Sequence, residues 1–233
     1  MIYVMSDIHG TYAKYQLMLE KIHFCEQDTL YILGDVIDRG KQGIETLLDM
    51  MERPNIIPII GNHEWMALQC LPWLQKEITE DSLKELHEEQ ISALALWVLN
   101  GAMTTIEEWK RLEKGKKNDL LCYLGRFLPY KRIEANGKRY LLVHSGLGNF
   151  KKDKRLEDYT IDELVWIRPD YDVNYFENDD ICMVVGHTPT LLIHDKPMIY
   201  HGPQLIAVDC GVVFPEGRLA CLCLDTMEEF YIK

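Results

Sequence analysis

Short apolar runs recur along the chain, each broken at once by Gly, Asp, Asn or His: Ile2 to Met5, Leu30 to Leu33, Ile56 to Ile60, Tyr140 to Val143 and Ile181 to Val185. Such runs with polar tips read as strands buried on both faces. Between the first three lie the helical segments Tyr12 to Ile22 and Gln42 to Met51, the strand, helix, strand rhythm of a parallel sheet. From Glu64 to about Pro129 helix formers take over and no strand is expected before Lys131. This stretch, holding Trp65, Trp73, Trp97 and Trp109, reads as a helical insert at about 64–130 within one domain spanning 1–233. Its Leu83, Leu86, Ile91, Leu94, Leu96 and Val98 are expected to be packing surface.

Asn136-Gly137, flanked by Lys131 to Ala135 and Lys138 to Val143, predicts a hairpin. After His187 the alternating stretches Met198 to His201, Leu205 to Val208, Leu219 to Leu224 and Phe230 to Ile232 predict antiparallel strands of a second sheet. The expected class is α/β: two mixed β-sheets packed as a sandwich, flanked by helices and carrying the helical insert.

Composition narrows the function classes. A chain of 233 residues with 47% apolar and 27% charged residues can bury a substantial core. The formal charge of −12 opposes non-specific binding to nucleic acid or anionic membrane, so neither is an expected partner. The basic runs Lys110 to Lys117 and Lys151 to Arg155 are interrupted by acids and read as solvated faces. With no apolar run near membrane length and no basic segment leading into one, the protein is expected in the cytoplasm. Seven cysteines without a C-x-x-C pair read as reduced, buried thiols.

Candidate chemistry lies at the strand ends. Asp7 and His9, Asp35 and Asp38, Asn62 and His63, His144, and His187 each follow a predicted strand, on what is expected to be one sheet edge, where open α/β sheets bind ligands. One carboxylate or imidazole at a strand tip is ordinarily a turn residue or cap. Five tips furnished with metal-ligand types point instead to a pair of divalent ions, because carboxylate, amide and imidazole together suit Mn, Fe or Zn. The lack of cysteine among them argues against a structural zinc cluster.

The motifs are Asp7-Ile-His9-Gly10, Gly34-Asp35-Val-Ile-Asp38-Arg39-Gly40, Gly61-Asn62-His63-Glu64, His144-Ser145-Gly146 and Gly186-His187-Thr188. At these residues the chain resembles the calcineurin-like metallophosphoesterases, and in particular small bacterial and phage-type serine/threonine phosphatases of the phosphoprotein phosphatase branch. The resemblance implies that Asp7, His9 and Asp35 hold a first metal, and Asp35, Asn62, His144 and His187 a second, with Asp35 bridging. It implies that His63 protonates the leaving oxygen, oriented by Asp38, and that Arg39 grips phosphate with Asn62 beside it. Arg168, in Trp166-Ile-Arg168-Pro-Asp170, resembles a second phosphate-binding arginine.

Two bound metals, most simply Mn, lower the pKa of bound water to about 7, so a metal-bridging hydroxide can attack phosphorus directly. The substrate expected is a phosphoserine or phosphothreonine protein, or another small phosphoester. A symmetrical diadenosine tetraphosphate hydrolase is the alternative, from a branch that typically shows Asp where Glu64 stands. A second alternative is a catalytically inactive binding protein on the same fold, although every expected site position is filled. A cysteine-based phosphatase is disfavoured, since no cysteine is followed six positions later by arginine. His23, His87, His194 and His201 match no motif and read as surface or supporting residues, and Asp209 reads as a turn residue.

Overall fold

The computed structural model describes residues 1–75, 87–177 and 181–233. β1 (Ile2–Met5), β2 (Thr29–Ile32) and β3 (Ile56–Pro58) run parallel, connected by α1 (Tyr12–Lys21) and α2 (Gly43–Met51). Among the described residues four helices follow: α3 (Asn62–Leu74), α4 (Glu88–Leu99), α5 (Met103–Arg111) and α6 (Lys114–Leu124). The hairpin β4 (Tyr130–Ala135) and β5 (Lys138–Val143) then opens the second sheet, with Asn136 and Gly137 at positive φ as that tight turn requires. β6 (Ile181–Val185) lies parallel to β5, and β8 (Leu205–Ala207) parallel to β6, with β7 (Tyr200–His201) antiparallel at the rim. The short helix α7 (Ile161–Val165) precedes β6, and α8 (Leu191–His194) lies between β6 and β7.

The last two strands depart from the sequence expectation. β9 (Leu219–Cys223) pairs antiparallel with β1, and β10 (Glu229–Ile232) with β9, so both complete the first sheet in the order β10, β9, β1, β2, β3. All five residues of β9 are buried, which suits an interior strand. Alternation alone could not assign it to a sheet. β8 likewise runs parallel to its neighbour β6 where an antiparallel strand was expected.

Alternation does explain how the sheets pack. Val4, Tyr31, Tyr140, Leu142, Val184, Ile206, Ala220 and Leu222 point into one layer between the two sheets. Their neighbours Met5, Leu30, Ile32, Leu141, Val143, Met183 and Cys221 face outward into a second apolar cluster under the helices. Both faces are covered, hence the unbroken apolar runs. Trp97 and Trp109 anchor the helices of the 88–124 segment in that outer cluster, at 0% and 1% exposure.

The rest of α4 corrects the expectation of a packing surface. Leu94 packs on the core, but Ile91, Leu96 and Val98 are 54%, 48% and 37% exposed, because α4 lies against α3 along one side only. Leu83 and Leu86 lie outside the described residues. Among the cysteines, none is paired; Cys70, Cys210, Cys221 and Cys223 are buried, but Cys25 and Cys122 are exposed. Lys152, Lys154 and Arg155 pair with Glu177, Glu163 and Asp158, as expected of a solvated face. Among the described residues no helix is long and apolar enough to cross a membrane.

Candidate active site

The strand tips converge, although from two sheets and not one. Asp7 and His9 follow β1, Asp35 and Asp38 follow β2, and Asn62 and His63 open α3 just after β3. His144 and His187 follow β5 and β6 of the second sheet. The sandwich therefore places the ends of both sheets against one another: His187 N donates to Asp7 Oδ2 at 2.9 Å, and Gly186 backs directly onto Ser6 and Asp7, leaving no room for a Cβ.

Backbone conformation at these tips is unusual. Asp7, His9, Asp35, Asp38, Arg39 and His187 all have positive φ, between 44° and 71°. Each such non-glycine residue costs about 1–2 kcal/mol and persists only where its surroundings hold it. Here the first two tips hold each other: Asp7 N, His9 N and Gly10 N donate to Gly34 O, Asp35 O and Val36 O at 3.1, 2.9 and 2.8 Å. Glu64 holds the second tip from below. Its buried carboxylate accepts from Asp35 N and Val36 N, both at 2.8 Å, from Gly61 N at 3.1 Å and from Ile37 N at 3.3 Å.

Asp35 sits at the centre. Its Oδ2 lies 3.8 Å from His9 Nε2 and 3.7 Å from His63 Nε2, while Oδ1 lies 3.4 Å from His144 Nε2. Asp7 Oδ1 is 3.8 Å from His9 Nε2. Burial, and then the charge of Asp7, push the Asp35 carboxyl well above its usual range. His187 is pushed down to about 2 by burial and the nearby His144, and burial also lowers His9, so both imidazoles are neutral.

The orientation of the imidazoles fits metal donors. His9 Nδ1 donates to Ile37 O at 3.0 Å, turning Nε2, buried and without a hydrogen-bond partner, toward Asp7 and Asp35. His144 Nδ1 donates to Leu33 O at 2.5 Å, which aims Nε2 at Asn62 Oδ1, 3.0 Å away, and His187 Nδ1 lies 2.9 Å from the same amide oxygen. An amide oxygen between two imidazoles suits a cation held by all three. Among the described residues two candidate groups for a metal emerge, one of His9, Asp35 and His63 and one of Asp35, His144 and His187, and Asp35 belongs to both.

Beside them stands a second arrangement. His63 Nδ1 donates to Asp38 Oδ2 at 2.6 Å, and Arg39 Nη2 donates to His63 Nε2 at 3.2 Å. Burial pushes Asp38 up to about 7, against hydrogen bonds from Thr105 and Trp97 that pull it down. Burial and the Arg39 charge hold His63 well below its ordinary value. The pair is thus hydrogen-bonded at a buried, low-dielectric site.

Of the ten candidate site residues, Arg168 makes no hydrogen bond or ion pair to this cluster among the described residues. It is exposed, makes no ion pair among the described residues, and lies near enough for its charge to lower His187. Asp209 is buried and accepts from Gly211 N at 2.8 Å, a turn role, with Asp7 close enough to raise it further. His23, His87 and His201 are exposed and His194 half-buried, all away from the cluster. Sequence reasoning missed Trp97 and Thr105, which hold Asp38 from far along the chain, and the clamp made by Glu64. Only Glu64 carried a signal, standing at the third position of a helix whose first backbone N–H groups need acceptors.

A family model described as calcineurin-like phosphoesterase matches residues 1–216. The chain belongs to that family. Its chemistry is accordingly metal-dependent hydrolysis of phosphoesters. The phosphoesterase is 29% identical over 170 residues to serine/threonine-protein phosphatase 2 of Salmonella typhimurium, covering 72% of this chain and 67% of that protein. It is 32% identical over 113 residues to a symmetrical bis(5'-nucleosyl)-tetraphosphatase of Wigglesworthia glossinidia brevipalpis, covering 47% of this chain and 42% of that one. The chain thus spans less than half the length of that second relative. A crystal structure of a candidate diadenosine tetraphosphatase superposes with a TM-score of 0.66 at 18% identity, covering 99% of this chain and 92% of the other, which bears on the fold alone.

Proposed function

We propose that the phosphoesterase is a dimetal phosphatase of phosphate monoesters, with phosphoserine and phosphothreonine in proteins as its substrates. The observation that carries this reading is Asp35, whose Oδ2 lies 3.8 Å from His9 Nε2 and whose Oδ1 lies 3.4 Å from His144 Nε2, so this one carboxylate would be within reach of both ions. In this reading Asp7, His9 and Asp35 hold one ion, and Asp35, Asn62, His144 and His187 the other. Mn is the expected metal, though Fe or Zn suits the same donors. When bound, the two ions supply Lewis acidity at phosphoryl oxygens and a lowered pKa for attacking water.

His63 could also serve as a ligand by position. Its ring nitrogens are both engaged, by Asp38 and Arg39, whereas His9 Nε2 has no partner, which favours Asp7 and His9 as donors and His63 as the acid. With Asp38 holding the Nδ1 proton, Nε2 would take up a proton once Arg39 turns from it to the phosphate, and would pass that proton to the leaving oxygen. The Arg39 guanidinium offers a planar fork to two phosphate oxygens, Arg168 approaches from the exposed side, and the amide of Asn62 adds a contact.

The alignment to the protein phosphatase runs over 72% of this chain, against 47% for the tetraphosphatase, which supports a protein substrate. The tetraphosphatase relatives favour the second reading, hydrolysis of dinucleoside polyphosphates. A panel of phosphopeptides, phosphotyrosine, nucleotides and dinucleoside polyphosphates, each with Mn²⁺, Fe²⁺, Zn²⁺ and Mg²⁺, decides between them. Phosphoserine and phosphothreonine peptides are expected to give the highest kcat/KM. Faster cleavage of diadenosine tetraphosphate would exchange the two readings, and a metal-replete protein inert to every ester would leave only a binding role.

A further inference from the structure

The Asp38 carboxylate takes more hydrogen bonds than its pairing with His63 requires. Trp97 Nε1 donates to Oδ2 at 2.7 Å, the same oxygen that receives His63 Nδ1 at 2.6 Å. Thr105 Oγ1 donates to Oδ1 at 2.6 Å while accepting Asp38 N–H at 2.9 Å. Because the Thr105 hydroxyl already accepts from the backbone, its own proton points at the carboxylate. All three side-chain partners are therefore donors, and Asp38, His63, Trp97 and Thr105 are each fully buried.

A carboxylate tied at one oxygen can still rotate, and Arg39, its chain neighbour, is a competing cation. Trp97 and Thr105 remove that freedom. They sit at the last turn of α4 and the first turn of α5, on either side of a turn whose Gly101 O accepts Arg39 N–H at 3.0 Å. That turn passes so close that a Cβ on Gly101, at φ 104°, would lie 3.0 Å from Arg39 Cγ. One helical corner thus clasps Asp38 by two side chains and Arg39 by its backbone.

We propose that Trp97 and Thr105 are positioning residues for proton donation: they fix the Asp38 carboxylate so that His63 is held with Nε2 toward the leaving oxygen. The inference rests on the acid role of His63 given above. It assigns the 88–111 segment a part in the chemistry that is independent of substrate choice.

The experiment compares phenyl phosphate, whose leaving group needs a proton, with p-nitrophenyl phosphate, whose leaving group hardly does, on the Mn²⁺-loaded full chain. General acid catalysis is worth about 10²–10⁴-fold, and loss of its alignment should remove part of that. Trp97→Phe and Thr105→Val are expected to lower kcat for phenyl phosphate about 10- to 100-fold, with KM and metal content little changed. For p-nitrophenyl phosphate the loss should stay within about threefold, and Thr105→Ser should recover most of the phenyl phosphate rate. Equal losses on both esters, or none on either, overturn the inference. If Trp97→Phe loses its metals or its fold, the Thr105→Val and Thr105→Ser pair carries the comparison alone. His63→Asn separates the two levels: without a leaving-group split in that variant, the acid reading itself fails, whereas a split there but not in Trp97→Phe or Thr105→Val fails only the positioning.

Discussion

Asp35 and His63 stand within 3.7 Å of each other yet have opposite surroundings, and substitution should separate their roles. Asp35 faces three imidazoles, so Asp35→Asn is expected to lower the bound metal of both sites, measured by elemental analysis after gel filtration. His63→Asn should keep both ions and lose about 10²-fold or more in kcat on a substrate with a poor leaving group. Equal metal loss in the two variants would contradict the assignment. Glu64 offers a third case. Removing its carboxylate leaves Asp35 N, Val36 N and Gly61 N buried without acceptors, so Glu64→Ala should cost about 3–5 kcal/mol in urea denaturation. The loss should extend to metal affinity, since those amides hold the Asp35 turn. A Glu64→Ala protein as stable as the parent would remove the clamp from the account.

Helices around the site are tied by single polar residues at places their own sequences do not announce. Glu108 of α5 accepts from Gly43 N at 2.9 Å and Ile44 N at 3.2 Å, capping the start of α2 from another helix. Asp49 of α2 accepts from Tyr15 of α1 at 2.8 Å and from Arg53 at 2.8 Å. Burial alone would raise Asp49, but the hydrogen bonds from Arg53 and Tyr15 outweigh it and hold its pKa below the ordinary carboxylate value. A depressed folded-state pKa gives stability that is present above the unfolded value of about 4 and lost as pH falls through the folded one. Asp49→Asn should therefore destabilise by about 1 kcal/mol at neutral pH, screening included. That difference should shrink below about pH 4. A gap between the two proteins that persists at low pH would show that charge is not its origin.

Across the whole molecule, the site joins two sheets whose tips meet only when the sandwich is closed. Ions bound there stabilise the folded chain by mass action, about 2.7 kcal/mol per site at a hundredfold excess over Kd. In a chain of this length that corresponds to a rise in Tm of roughly 5–11 °C per site. Differential scanning calorimetry with Mn²⁺ should show the rise, EDTA should reverse it, and Asp35→Asn should largely abolish it. No metal-dependent shift in the parent protein would argue against a bound pair.

The strands, the hairpin at Asn136-Gly137 and the candidacy of the nine residues that the fold brings together were legible in the linear order, because each lies next to an apolar run that must be buried and each has a side chain whose chemistry is specific. Pairing was not legible: β9 belongs beside β1, over two hundred residues away, and alternating hydrophobicity says which face is buried but not which sheet. The expectation of one sheet edge failed for the same reason. Trp97 and Thr105 carry no local signature for their contact with Asp38, 59 and 67 residues away, because a tryptophan or threonine on a helix looks the same whether it fills a core or holds a carboxylate. Sequence by itself offered the candidate donors and the chemistry they suit, through residue type and strand-end position. Only tertiary structure decided that both oxygens of Asp35 face imidazoles and which groups hold the His63 pair in line, since those are distances between segments that the chain order leaves free.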